Sequence, residues 1–173
     1  MRYKTRDIGE GGIDLRVAVS EAWLAAECPD SSLGISKAGM CLEGRLEQAG
    51  EGYLLRGTLR GELLVPCARC LEPAPVVVDS PVVVTFVEAG GPDKADADDA
   101  EEDVVRFEHG TIDVGRPIRD EILLAVPMGP VCRPDCAGIC PSCGRNRNLT
   151  PCDCDKQASE NSKFGVLAKM KLQ

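Results

Sequence analysis

Ten cysteines dominate the chemistry open to this 173-residue sequence. Eight fall in two places: Cys67-x-x-Cys70, and the series Cys132, Cys136, Cys140, Cys143, Cys152 and Cys154. Thiols so closely spaced can close disulfides, carry redox or nucleophilic chemistry, or hold a metal. A structural zinc ion takes four tetrahedral ligands, and a Cys-x-x-Cys turn supplies two at once, so eight cysteines suffice for two closed sites. Local spacing favours Cys140, Cys143, Cys152 and Cys154 as one site, with Cys67, Cys70, Cys132 and Cys136 as the other. Gly144, directly after Cys140-Pro141-Ser142-Cys143, is free to take the positive φ such a turn needs. The second grouping closes a loop of more than sixty residues and so removes considerable chain entropy. A crossed grouping, in which Cys132 and Cys136 join Cys152 and Cys154, stays open on spacing alone.

Other chemistries find little support. Sites that use all four ligands leave no position for the water a zinc hydrolase needs. The only histidine, His109, is far in sequence from the cysteines and reads as a surface or packing residue, so no Ser/His/Asp or Cys/His set exists. Cys67-x-x-Cys70 ends a strand with no βαβ pattern around it, which disfavours a thioredoxin-like role. The isolated Cys28 and Cys41 read as buried thiols. No catalytic residue and no small-molecule site is expected. Within Gly144 to Thr150, however, a metal-braced loop carries Arg145, Arg147 and Asn148, a combination suited to phosphates and RNA edges. A solvated turn is the alternative.

Charge and compartment agree with this reading. Residues 1–7 carry basic side chains with no apolar run behind them, so no secretory signal is expected, and no stretch approaches membrane-spanning length. In a reducing cytoplasm paired cysteines read as metal ligands before disulfides. The formal charge of −8 is unevenly placed: Asp93 to Asp103 holds seven acidic residues against Lys94 alone, whereas Cys132 to the end carries seven basic residues against four acidic. Scarce aromatics argue against base-stacking platforms and for an aliphatic core.

The elements that must position these residues are mostly strands. Ile13 to Ser20 alternates apolar and polar, the mark of a half-buried strand, and Glu21 to Glu27 reads as a short helix. Met40 to Gln48 and Gly52 to Val65 form a hairpin about Ala49-Gly50-Glu51, its second arm running into Cys67. Val76 to Val78 and Val82 to Val87 are extended, with Pro81 suiting an edge or bulge. Gly90 and the acidic run have nothing to bury, so 89–103 reads as a mobile loop. Val104 to His109 is a further strand. A helix follows with Asp113 as N-cap, an apolar stripe of Ile118, Ile122, Leu123 and Val126, and Pro127 as its stop. A last helix is expected over about 162–171. The fold class is therefore α+β: a mainly antiparallel sheet or barrel-like core, one or two packed helices, and a C-terminal zinc-stapled cysteine-rich segment. The domains expected are 1–131 for the core and 132–173 for the cysteine-rich segment docked on it.

Several ordered motifs resemble the bacterial YceD proteins, also called large ribosomal RNA subunit accumulation proteins. They are Cys67-Ala68-Arg69-Cys70-Leu71, Asp120 to Pro127, Cys136 to Gly144, Asn148, Cys152-Asp153-Cys154 and Phe164 to Leu167. The likeness runs from about residue 50 onward; Ser162-Lys163 departs from a proline-containing form before the terminal helix. The resemblance implies a cytoplasmic, non-enzymatic factor needed for large-subunit ribosomal RNA to accumulate, through ribosome assembly or processing. Its expected partner is ribosomal precursor RNA or a large-subunit ribosomal protein. Two other classes stand beside it: a redox-switched zinc chaperone, and a nuclease, for which no spaced carboxylate set is found.

Overall fold

A computed structural model describes residues 1–29, 31–89 and 104–154. The acidic stretch and the terminal helix expected over 162–171 therefore lie outside the described residues. The chain forms two compact units, one from Met1–Val65 with Pro75–Met128, the other from Pro66–Ala74 with the chain from Gly129 onward. The first cysteine pair thus belongs to the cysteine-rich unit, not to the sheet that carries it in sequence.

In the first unit a five-stranded sheet has the order β2-β3-β4-β5-β6: β2 is Ile13–Ala18, β3 Gly34–Ala49, β4 Gly52–Pro66, β5 Pro73–Glu88 and β6 Val104–Phe107. β2/β3 and β3/β4 are antiparallel, while β6 runs parallel to β5. A parallel return needs a crossover of roughly a dozen residues or more, and residues 89–103 provide that length. β6 registers only with Thr85–Glu88, so Pro81 lies on a part of β5 with no partner among the named strands on that side. Two short strands, β1 (Arg2–Lys4) and β7 (Thr111–Asp113), pair separately as an antiparallel ribbon.

Alternation decides the core. Leu15 and Val17, Leu42 and Leu46, Leu55, Leu59 and Leu63, and Val78, Val82 and Phe86 are buried on one face, and no buried residue among those described is polar. On that face Gly44 of β3 stands opposite Gly57 of β4. A Cβ on Gly44 would lie 2.4 Å from the Arg56 carbonyl oxygen, so side-chain-free residues allow the two backbones to approach. β3 begins earlier than its apolar pattern suggests because an irregularity between Ile35 and Met40 interrupts the register and hides Gly34–Gly39 from a period-two reading.

Helix α1 spans Glu21–Glu27, with the Ser20 hydroxyl accepting from the Trp23 N–H. Helix α2 spans Gly115–Ala125 and has Val114 at its N-cap position. Asp113, expected there, instead sits one residue earlier and accepts from the Gly115 N–H at 2.9 Å. Burial opposes its ionisation, but this N–H and Arg2 outweigh burial and hold the carboxyl below its ordinary range. Ile118 and Ile122 are buried on one stripe, whereas Leu123 is 46 % exposed: it lies about 100° round the helix from Ile122 and falls off the stripe. Cys28 is buried as expected; Cys41 is half-exposed because it takes the outward side of β3, between the inward Met40 and Leu42. His109 is on the surface, in a left-handed backbone conformation beside Glu108. Among the described residues no helix is long and apolar enough to cross a membrane.

Candidate metal centres

Both Cys-x-x-Cys turns are built alike. In the first, the Cys67 N–H donates to the Glu72 carbonyl at 2.9 Å and the Leu71 N–H to the Cys67 carbonyl at 3.0 Å. In the second, the Cys140 N–H donates to the Arg145 carbonyl at 2.8 Å and the Gly144 N–H to the Cys140 carbonyl at 2.9 Å. The residue after the second cysteine must turn left-handed, and Leu71 (φ 64°) and Gly144 (φ 71°) both do so. Glycine adopts that conformation freely; a 69 % exposed leucine does so at a steric cost.

The eight cysteines fall into two groups of four: Cys67, Cys70, Cys132 and Cys136, and Cys140, Cys143, Cys152 and Cys154. Within each group the sulfurs all lie within 4.8 Å of one another. Of the two arrangements that spacing leaves open, this is the local one. In the first group Cys67 Sγ is 3.8 Å from Cys136 Sγ, and Cys70 Sγ is 3.6 Å from Cys132 Sγ. These separations far exceed the ~2.05 Å of a disulfide. They match the ~3.8 Å edge of a tetrahedron with metal–sulfur bonds of ~2.3 Å. Both donor sets therefore fit a tetrahedral, thiolate-preferring cation. All ten cysteines are free.

Electrostatics make the same point. At Cys67 burial opposes ionisation, but the N–H groups of Cys132, Arg69 and Cys70 outweigh it and hold the thiol down at about 6. At Cys132 burial, reinforced by the neighbouring Cys70, Cys136 and Cys67 sulfurs, pushes the thiol up to about 12. The second group repeats the split. The N–H groups of Cys143 and Ser142 bring Cys140 to about 6, while the Cys143 sulfur, together with burial, raises Cys154 to about 12. Each group thus sets thiols that ionise readily, Cys67 and Cys136 in the first and Cys140 in the second, beside thiols that resist a further negative charge. A dication removes that conflict.

Backbone and side chains beyond the ligands brace the first group. Arg69 Nη1 donates to the carbonyls of Cys136 (3.2 Å) and Pro134 (3.4 Å), tying the first turn to the Cys132–Cys136 segment. The Arg69 N–H donates to Cys67 Sγ at 3.4 Å, and the Ala68 N–H to the Pro130 carbonyl at 2.7 Å. Gly138 to Arg147 folds as a small hairpin, with Ile139 bridged to Asn146 and the Arg147 N–H donating to the Gly138 carbonyl. Cys143 is exposed; Cys152 and Cys154 are half-buried.

The three loop residues expected to face a partner behave differently from one another. Arg145 is exposed, and its side chain forms no ion pair or hydrogen bond among the described residues. Arg147 is half-buried, with Nη2 3.7 Å from Cys140 Sγ. The Asn148 amide is turned inward, Nδ2 donating to Cys136 Sγ at 3.3 Å and Oδ1 accepting from the Ala137 N–H and Arg133 at 2.8 Å each. Arg69 and Arg133 were missed as supports because nothing in their spacing distinguishes a carbonyl-binding guanidinium from a solvated one.

The family described as large ribosomal RNA subunit accumulation protein YceD matches residues 55–171, a span that includes both cysteine groups. A protein of Mycobacterium tuberculosis named only as uncharacterized is 42 % identical over 104 residues, covering 60 % of this chain and 49 % of that protein. An uncharacterized protein of Mycobacterium leprae is 34 % identical over 112 residues, 64 % of this chain and 50 % of that one. A maize protein named large ribosomal RNA subunit accumulation protein YCED homolog 1, chloroplastic, is 32 % identical over 126 residues, 58 % of this chain and 43 % of that one. The chain thus spans about half the length of the curated relatives it matches. No solved structure matches it significantly.

Proposed function

Since the chain belongs to the YceD family of large ribosomal RNA subunit accumulation proteins, we propose that it is a non-enzymatic cytoplasmic factor that supports accumulation of that RNA and assembly of the large subunit. The observation carrying this reading is that the family match, residues 55–171, spans both four-cysteine groups of this chain, so the likeness and the candidate metal centres fall on the same stretch of sequence. The metal is zinc at both sites: four thiolates in a tetrahedron suit it, and a closed, redox-inert ion serves structure. In this reading the ion holds a segment too poor in apolar residues to fold around a core of its own.

The partner is precursor RNA of the large subunit, met by the cysteine-rich unit through exposed basic side chains. Arg145 supports this: its guanidinium is exposed on a loop whose backbone is pinned through the Cys140 N–H to the Arg145 carbonyl. Affinity purification from growing cells, comparing wild type with Arg145→Ala, tests it. Arg147 stays intact because its guanidinium reaches Cys140 sulfur. Association with large-subunit precursors should fall several-fold, and its salt dependence should weaken by about 0.7–0.9 in log–log slope per lost phosphate contact. Unchanged association with an unchanged slope removes Arg145 from the mechanism; capture of a ribosomal protein that survives RNase points to a protein partner instead.

The exposure of Cys143 favours one second reading, a redox switch at its group, Cys140, Cys143, Cys152 and Cys154, termed the outer group. Hydrogen peroxide would take two electrons from the Cys140 and Cys143 thiolates, forming one S–S bond and, with two protons, two waters, with loss of the ion. Mild peroxide that ejects metal and exposes apolar surface supports it; metal retained at doses that oxidise exposed thiols refutes it.

A further inference from the structure

The two cysteine groups are joined by a loop whose ends belong to one group and whose middle reaches into the other. Gly144 to Pro151 lies between Cys143 and Cys152, both of the outer group. Yet Asn148, in its middle, donates from Nδ2 at 3.3 Å to the sulfur of Cys136, which belongs to the other group, Cys67, Cys70, Cys132 and Cys136, termed the inner group. The amide orientation is forced. The Ala137 N–H can only donate, so the oxygen must face it, at 2.8 Å, which leaves Nδ2 toward the sulfur. Arg133 Nη2 donates to the same oxygen at 2.8 Å, and Asn146 Oδ1 accepts from both Asn148 N (3.0 Å) and Asn148 Nδ2 (2.9 Å). Every polar atom of this side chain is thereby engaged, on the inner group's own segment or within the loop. Asn146 in turn donates to Glu72, beside the first Cys-x-x-Cys turn, at 3.3 Å.

We infer that Asn148 is a positioning residue for the inner metal site, held in place by the outer one, so that the two sites fill as a coupled pair. An N–H donor against a ligating sulfur stabilises the thiolate and fixes its direction, and loss of such a donor typically lowers metal affinity about 10- to 100-fold. Filling the outer site closes the short loop that carries Asn148 and reduces the freedom it must lose to reach Cys136. Linkage makes the effect mutual: the inner metal also favours the outer site. This inference rests on the metal-binding reading above, and on nothing about the partner.

The test uses full-length reduced protein loaded with zinc and challenged with graded chelator. Occupancy of each group is read by mapping thiol alkylation with mass spectrometry. Four proteins form a cycle: wild type, an outer-site variant (Cys143→Ser with Cys152→Ser), Asn148→Ala, and the combination. Inner-site affinity is expected to fall about 10- to 100-fold in Asn148→Ala. It should also fall in the outer-site variant, and the combination should lose no more than Asn148→Ala alone, because the outer site acts through this residue. Asn148→Asp keeps the oxygen that accepts from Ala137 and Arg133 but turns an anionic oxygen toward Cys136; it should lose at least as much inner-site affinity as the alanine variant. Wild-type inner affinity in the outer-site variant, additive losses in the combination, or full rescue by Asn148→Asp would each overturn the proposal. Wild-type protein that binds no metal at all instead sinks the metal reading beneath it, a distinct result.

Discussion

Placing a methyl group on Gly44 should damage the first unit far more than placing one on Gly34, though both glycines lie in β3. At Gly44 the new Cβ would stand 2.4 Å from the Arg56 carbonyl oxygen and 2.6 Å from the Gly57 Cα. Ordinary carbon contacts are near 3.5–4.0 Å, so the overlap is about 1 Å, and the atoms met are backbone held in the β3/β4 ladder. No side chain can swing aside; the strands must part. Overpacking of this kind costs about 1–3 kcal/mol. One or two strained ladder bonds add about 1 kcal/mol each, and the lower entropy of an unfolded alanine chain returns about 0.4–1 kcal/mol. Gly44→Ala should therefore lose about 2–3 kcal/mol. At Gly34 the nearest atom is Leu64 Cβ at 3.6 Å, an ordinary contact, so Gly34→Ala should be neutral or gain up to about 1 kcal/mol. Gly57→Ala, whose Cβ would lie 2.7 Å from the Glu43 oxygen, should resemble Gly44→Ala, and the two together should cost less than their sum because one gap opens once. Urea unfolding followed by fluorescence of Trp23, the only tryptophan and a residue of α1, reads the first unit. The shift should appear in the midpoint with the slope unchanged. Gly44→Ala within about 0.5 kcal/mol of wild type, or Gly34→Ala equally harmful, would refute the reasoning.

Three further outcomes are expected. Leu71→Gly should leave stability nearly unchanged, since relief of about 1 kcal/mol of left-handed strain is offset by a similar unfolded-state term, while Gly144→Leu should cost about 1–2 kcal/mol; amide exchange over each turn in the metal-loaded protein checks both. Metal affinity should rise steeply with pH above neutrality, because binding displaces protons from Cys70, Cys132, Cys152 and Cys154, all raised in the metal-free fold; a chelator competition showing no pH dependence would contradict this. Asp113, lowered by the Gly115 N–H and Arg2 against its burial, contributes stability above its unfolded pKa of about 3.9 that disappears as pH falls through the folded value; Asp113→Asn should flatten the acid limb of a pH–stability curve.

The sequence by itself determined what depends on neighbours along the chain. Apolar–polar alternation marked β2, two extended segments about Ala49-Gly50-Glu51 marked the β3–β4 hairpin, Glu21 to Glu27 marked α1, and Cys-x-x-Cys spacing marked the two turns, because each is decided within a few residues. Only tertiary structure decided which cysteines share a site, since sulfurs 62 or more positions apart meet through folding and not through spacing. The same holds for β6, whose parallel direction follows from a crossover, and for β1 with β7, three-residue strands too short to show a period. Asn148 makes the difference plainest. Its residue type and its place beside two arginines suggested an outward-facing amide, but an N–H from Ala137 and a thiol from Cys136 arrive from eleven and twelve residues away and turn it in. A polar side chain goes where its partners are, and those partners are assembled by the fold.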